Sequence, residues 1–249
     1  MTATSTEGGT GNPSTASVTV VGPPTIGKAF GLSSIALNGS TSLTFTITNN
    51  NSTTDLTGVV FSDTLPAGLV VSTPPGESGT CPPGTITANQ GTNVISLSGA
   101  GATVIHGGGT CMFSVNVTGT TAGTKNNTTG AITSTNGGTG GTANASFAVV
   151  APPTISKAFG AATILPGGTT TLTFTLTNPA ANTVAESGVA FNDTLTGGLQ
   201  VASTPGMTNG CGGTFNGATS GSTSLSFNGG TIPAVIEEAG AIKLFNVQL

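Results

Sequence analysis

Between Thr41 and Asn49 the chain reads TSLTFTITN, in which Leu43, Phe45 and Ile47 alternate with Thr44, Thr46 and Thr48. A period of two sends the apolar side chains to one face and the threonines to the other, as in a half-buried β-strand. Shorter runs of similar character lie around residues 25–30, 58–63, 69–72, 94–97, 111–117 and 146–150. Clusters of Gly, Pro and Asn separate them, and no window carries a helical stripe. Short strands with frequent turn signals predict an all-β chain folded as a β-sandwich, with Leu43, Phe45, Ile47 and Phe61 inside.

The pattern occurs twice. PPTIGKAFG from Pro23 returns as PPTISKAFG from Pro152, and GVVFSDTLPAGL from Gly58 returns as GVAFNDTLTGGL from Gly188. Self-similarity at this spacing marks tandem copies of one unit. The opening residues belong to the same series, because TSTEGGTGNPSTASVTVVGPP ending at Pro24 resembles TSTNGGTGGTANASFAVVAPP ending at Pro153. The spacing therefore predicts residues 1–22 as the terminal strand of a preceding repeat, 23–151 as a complete repeat, and 152–249 as a second repeat lacking its closing strands.

Composition removes several function classes. The chain has 4 lysines and no arginine against 8 acidic residues, a net charge of −4, and neither Trp nor Tyr. Nothing here forms a basic stripe or a stacking platform, so nucleic acid is not an expected partner. No apolar run reaches the roughly 20 residues of a membrane span, and MTATSTEGG lacks the charged and apolar regions of a signal peptide. Any export signal is expected outside these residues. Three cysteines without CxxC spacing and a single histidine do not suggest a metal site, and the Gly clusters lack the GK[ST] of a phosphate loop. No cofactor is expected. His106, in VIHGGGT, reads as a surface-loop residue, and a turnover enzyme is not expected.

Cys81 and Cys111 flank one stretch of the complete repeat, and an oxidising compartment would bridge them if their strands are adjacent. The alternative is two buried thiols. Cys211 corresponds to Cys81, but the stretch matching Cys111 reads GAIKLFNVQL, which leaves it a free thiol or an intermolecular handle.

Two of the four lysines, Lys28 and Lys157, hold the same repeat position, and Asp63 coincides with Asp193. Burial lowers the pKa of an amine and raises that of a carboxylic acid, so such a pair is either structural or reactive. The combination PPTI-x-KAF, LTFT-[IL]-TN and F-x-DTL-x-x-GL resembles the conserved immunoglobulin-like repeats of large bacterial surface proteins. That resemblance implies tandem immunoglobulin-like β-sandwiches in extracellular stalks or adhesins. Related adhesin and pilin stalk domains carry a spontaneous Lys–Asn isopeptide bond assisted by a nearby carboxylate. Carried over, it implies Lys28 as the amine, Asp63 as the carboxyl and Asn127 as the amide, with Asn126 as the alternative. Lys157 and Asp193 have no matching Asn within these residues. A simple Lys–Asp ion pair is the competing reading.

The function expected from these observations is a structural module of an extracellular fibre, pilus-like filament or adhesin stalk, displayed outside the cell or on its surface. Its expected partners are copies of itself, head to tail, with residues 1–22 of one copy completing the strand-deficient second repeat of the next, and a host or environmental surface ligand. The alternative is a carbohydrate- or surface-binding module, including an ice-binding one. Its weakness is that the only aromatics are 11 Phe residues, many at strand positions expected to be buried.

Overall fold

The computed structural model describes residues 1–81, 86–98, 104–234 and 240–248, and among these there are strands and turns but no helix. The first repeat is a two-layer sandwich. One sheet runs, in spatial order, through Thr25–Phe30, Ser40–Thr48, Thr110–Gly119 and Leu69–Val71, with Ser78–Gly79 also paired to Thr110–Gly119. Facing it are Phe61–Thr64, Val94–Leu97 and Ile86–Ala88, extended by Gly123–Thr128, Asn144–Val150 and Ser34–Ala36. Single bridges from Val60 to Thr133 and from Asp63 to Thr129 join these two groups into one layer.

Alternation along Ser40–Thr48 performs the role read from the sequence. Leu43, Phe45 and Ile47 are buried and the intervening threonines are half-exposed. Phe45 stacks on Phe113 of its own sheet at 5.0 Å and meets Phe61 of the opposite sheet at 5.2 Å. Each such phenylalanine withdrawn from water stabilises the sandwich by about 1.5–3 kcal/mol. The strand expected over 58–63 begins at Phe61 instead, because Gly58 adopts φ 60° and turns the chain there. A side chain at that φ would be strained, and a Cβ would also collide with the Thr135 hydroxyl.

The second repeat uses the same strand order. Thr154–Phe159, Thr169–Thr177, Gly240–Gln248 and Gln200–Val201 form one sheet, and Glu186–Thr194, Ser224–Ile232 and Thr214–Asn216 form the other. Its core gathers Leu172, Phe174, Leu176, Val201, Leu225 and Phe227, with Phe174 and Phe191 in contact at 4.7 Å across the layers. Residue 249 lies outside the described residues.

Residues 1–20 add no strand to either sandwich, whereas Val21 packs against the core of the first and Gly22 is bound to Asn51. Thr4–Ser5 and Gly9–Thr10 form a small hairpin with the register Thr4 to Thr10 and Ser5 to Gly9. The corresponding hairpin of the first repeat, Thr133–Ser134 with Gly138–Thr139, has the same register. No helix among the described residues is long and apolar enough to cross a membrane.

Candidate functional site: a buried lysine, aspartate and asparagine

Lys28 sits on the edge strand of the first sheet, opposite Phe45. Asp63 lies on the facing sheet, and Asn127 comes from the neighbouring strand Gly123–Thr128. Three strands remote in sequence thus deliver three polar groups to one point between the layers. Lys28 Nζ donates to Asp63 Oδ2 at 2.7 Å, and Asn127 Nδ2 donates to the same oxygen at 2.9 Å. The Lys28 and Asp63 side chains are fully buried. Along Gly123–Thr128 burial alternates, so Lys125 and Asn127 face inward while Asn126 faces solvent, which separates the two candidate amides.

The surroundings are apolar. Lys28 Nζ stands 5.5 Å from the centre of the Phe45 ring. Burial pulls the Lys28 amine below its ordinary pKa, and the hydrogen bond and charge of Asp63 pull the other way less strongly. Asp63 Oδ1 and Asn127 Oδ1 are buried and meet no hydrogen-bond partner among the described residues. Unpaired buried oxygens cost free energy, on the order of 1–3 kcal/mol each, so this arrangement needs a compensating reason. Chemically, an amine beside a carboxamide, with a carboxyl group touching both, is the set required for attack of nitrogen on an amide carbon.

In the second repeat Lys157 Nζ donates to both oxygens of Asp193, at 2.9 and 2.7 Å. These side chains are 35% and 18% exposed. No asparagine joins them among the described residues. Cys81 and Cys111 are disulfide-bonded with Cα atoms 4.8 Å apart, and Cys211 is a buried free thiol whose pKa burial pushes up. His106 lies on an exposed loop, its Nδ1 3.0 Å from Asp55 Oδ2.

Residues 24–149 and 153–242 match the family described as Domain of unknown function (DUF7933). The chain belongs to that family, with two copies of its domain. No curated protein matches it. Among solved structures, the C-terminal domain of the antigen I/II-family protein AspA from Streptococcus pyogenes is 12% identical, with 92% of this chain and 91% of that chain covered and a TM-score of 0.47. The C-terminal domain of the Streptococcus agalactiae AgI/II polypeptide BspA is 11% identical, with 90% and 91% covered and a TM-score of 0.46. BslA, titled a bacterial hydrophobin, is 22% identical over 53% of this chain and 97% of that one, with a TM-score of 0.37.

Several polar residues with defined roles escaped the sequence reading. Lys125 is buried, and its amine donates to Thr121 Oγ1 at 2.8 Å and to Ala67 O at 3.2 Å. Asn49, Asn51, Asn178 and Asn182 organise the loops that follow Ser40–Thr48 and Thr169–Thr177, and Glu186 is buried beside Asn182. The recurrence of Asn49 as Asn178 in the repeat register was the available signal. The threonine-rich outer face of the first sheet is interrupted by Gly27, Ala29 and Met112, so its rows of hydroxyls are not continuous.

Proposed function

We propose that this chain is a structural module of an extracellular stalk or fibre, and that its first repeat closes on itself through an amide bond between Lys28 and Asn127. The observation that carries this reading is the shared Asp63 Oδ2, 2.7 Å from the attacking amine and 2.9 Å from the amide it would attack. The amide's oxygen and nitrogen can exchange places by rotation. With a proton on Asp63, the rotated amide presents its carbonyl to the acid, which polarises it. The neutral Lys28 amine then attacks Cγ and a C–N bond forms; one proton passes from the lysine nitrogen by way of Asp63 to the amide nitrogen, the original C–N bond breaks, and ammonia leaves with Asp63 protonated as at the start. No oxidant or cofactor enters the balance. The product ties the first strand to a late strand of the opposite layer, so tension along the chain cannot peel the sandwich open between them.

The disulfide supports an oxidising compartment outside the cytosol. It adds a second covalent tie in the same repeat. Intact mass under denaturing conditions tests the cross-link: the expected mass is that of the sequence, with the disulfide, less one ammonia. Lys28→Ala, Asp63→Ala and Asn127→Ala should each retain the ammonia. An unshifted mass in the parent chain would leave only a buried ion pair.

End-to-end assembly is a second reading, favoured by one specific observation. Val18 and Val20 are 88% and 87% exposed, whereas their repeat counterparts Phe147 and Val149 are buried. In the first repeat Phe147 lies against Phe30, with ring centres 4.3 Å apart. The counterpart of Phe30 is Phe159, which lines an open groove of about 400 Å³ with Ile164 and Leu199. A strand with alternating valines, offered by another copy, fits that groove in pattern. Deleting residues 1–22 should abolish concentration-dependent association, and association that persists unchanged would exclude strand exchange.

A further inference from the structure

The residue that leads into each repeat is held by an asparagine side chain. Ala151, the last residue before Pro152 and Pro153, donates its N–H to Asn182 Oδ1 at 2.7 Å and accepts from Asn182 Nδ2 at 2.8 Å. Gly22, the last residue before Pro23 and Pro24, does the same with Asn51, at 2.8 and 2.9 Å. The amide thus pairs with both main-chain groups of one residue, as a neighbouring strand would. That residue is the last with an N–H before two prolines that have none and whose φ is fixed.

Each clamp is anchored by a second asparagine at the end of the preceding strand. Asn51 Nδ2 donates to Asn49 Oδ1 at 2.8 Å, and Asn182 Nδ2 to Asn178 Oδ1 at 2.6 Å. Those anchors reach across their loops to main-chain oxygens. Asn49 donates to Thr54 O and Ile105 O, and Asn178 to Val184 O and Pro233 O. The two loops differ in sequence, NNNSTTDLTG against NPAANTVAESG, and their clamping residues follow the anchor by two positions in one and four in the other. The same bonds are therefore made by loops that do not align.

We propose that Asn51 and Asn182 are junction clamps, each docking its repeat rigidly onto the end of the repeat before it, and that this fixes successive repeats into a stiff rod. The junction present in this chain shows what such docking adds. Thr124 of the first repeat and Thr183 of the second share a hydrogen bond at 3.0 Å, beside a cleft walled by Ile35 and Leu37 on one side and Val184 and Glu186 on the other. Asn51 presents the same arrangement to the segment before it, and the occupant it fits is the end of another repeat of this domain. Two observations argue for that occupant: the hairpin of residues 4–10 shares the register of 133–139, and Val18 and Val20 sit where a repeat buries Phe147 and Val149. The inference deepens the stalk reading but stands independently of the Lys28–Asn127 bond.

Backbone ¹⁵N relaxation on the full chain tests it, using three variants. Ala151→Pro removes one clamp hydrogen bond without altering any side chain of either core. Asn182→Ala removes both, and Asn51→Ala frees Gly22. In the parent chain the two repeats should tumble as one elongated body and Gly22 should be as ordered as Thr25. In Ala151→Pro and Asn182→Ala the repeats should acquire separate, shorter correlation times while the core amides of Phe174 and Phe227 keep their shifts. In Asn51→Ala the order of Val21 and Gly22 should fall to that of Val18. Independent tumbling in the parent chain, or an Ala151→Pro variant as rigid as the parent, would overturn the proposal even if Asn182→Ala fails to fold.

Discussion

The two repeats place one lysine–aspartate pair in two settings. Lys28 and Asp63 are sealed beneath Gly123–Thr128 and Asn144–Val150, whereas Lys157 and Asp193 remain partly open to water. The pairs are equally short, so distance does not separate them. Cover does. In water an ion pair contributes roughly 0–1 kcal/mol, because hydration competes with the partner. Under cover the same charges lose hydration, and burial pulls the Lys28 amine below its ordinary pKa.

The largest effect expected from this contrast is in the aspartates. Asp63→Ala leaves a buried amine without its partner and should cost about 3–5 kcal/mol in the first repeat, besides abolishing the ammonia loss. Asp193→Ala should cost at most about 1 kcal/mol in the second. Urea unfolding followed through NMR signals of each repeat reads the two separately. Equal losses would mean that burial is not what distinguishes the sites.

Sulfur gives the next comparison. The Cys81–Cys111 bridge closes a loop of sequence separation 30, worth about 3–4 kcal/mol by chain entropy. Cys111→Ser should remove that much from the first repeat and nothing from the second. The second repeat offers the converse experiment. Cys111 pairs with Ile47 across the sheet, and Gly240 pairs with the counterpart residue Leu176. Gly240→Cys should therefore bridge to Cys211, so that thiol labelling of the unfolded, unreduced chain falls from one group to none. A variant with two reactive thiols would show that the second repeat does not bring these positions together.

How much of this was legible depended on whether the signal was periodic. Ser40–Thr48 could be read because Leu43, Phe45 and Ile47 all point one way, and both charge pairs because they recur where lysine is scarce. Asn127 came from the family resemblance, since an amide in KNNTTG looks like turn chemistry until its strand is placed. The parallel pairing of Ser34–Ala36 with Asn144–Val150 left no trace, because three residues carry no period and the partner is more than a hundred residues away. The clamping asparagines were hidden for a related reason. Asparagine after a strand is ordinary loop composition, and its bonds go to main-chain atoms that any residue would offer.

The smallest expected effect concerns Glu186, which stands in the second repeat where the first has the fully buried Leu56. Its Oε1 accepts from Asn182 Nδ2 at 2.8 Å, and its Oε2 is buried with no hydrogen-bond partner among the described residues. Asn182 Nδ2 has two hydrogens and faces three acceptors, namely Ala151 O, Asn178 Oδ1 and this carboxyl. Burial raises the Glu186 pKa above its ordinary 4.5, and the hydrogen bond from Asn182 opposes that shift only in part. A group with a raised pKa in the folded state binds more protons folded than unfolded. Its contribution is therefore complete below pH 4.5 and is lost as the pH rises through the folded value. The second repeat should weaken over that window while the first, with leucine at this position, shows no such slope from it. Glu186→Gln keeps the acceptor for Asn182 and carries no charge, so it should flatten the slope and leave the second repeat more stable than the parent at neutrality. The check is the urea midpoint of the Phe227 and Leu172 signals, followed from pH 4.5 to neutrality in parent and variant. Parallel slopes in the two chains would mean that the carboxyl is already ionised and satisfied in the folded junction.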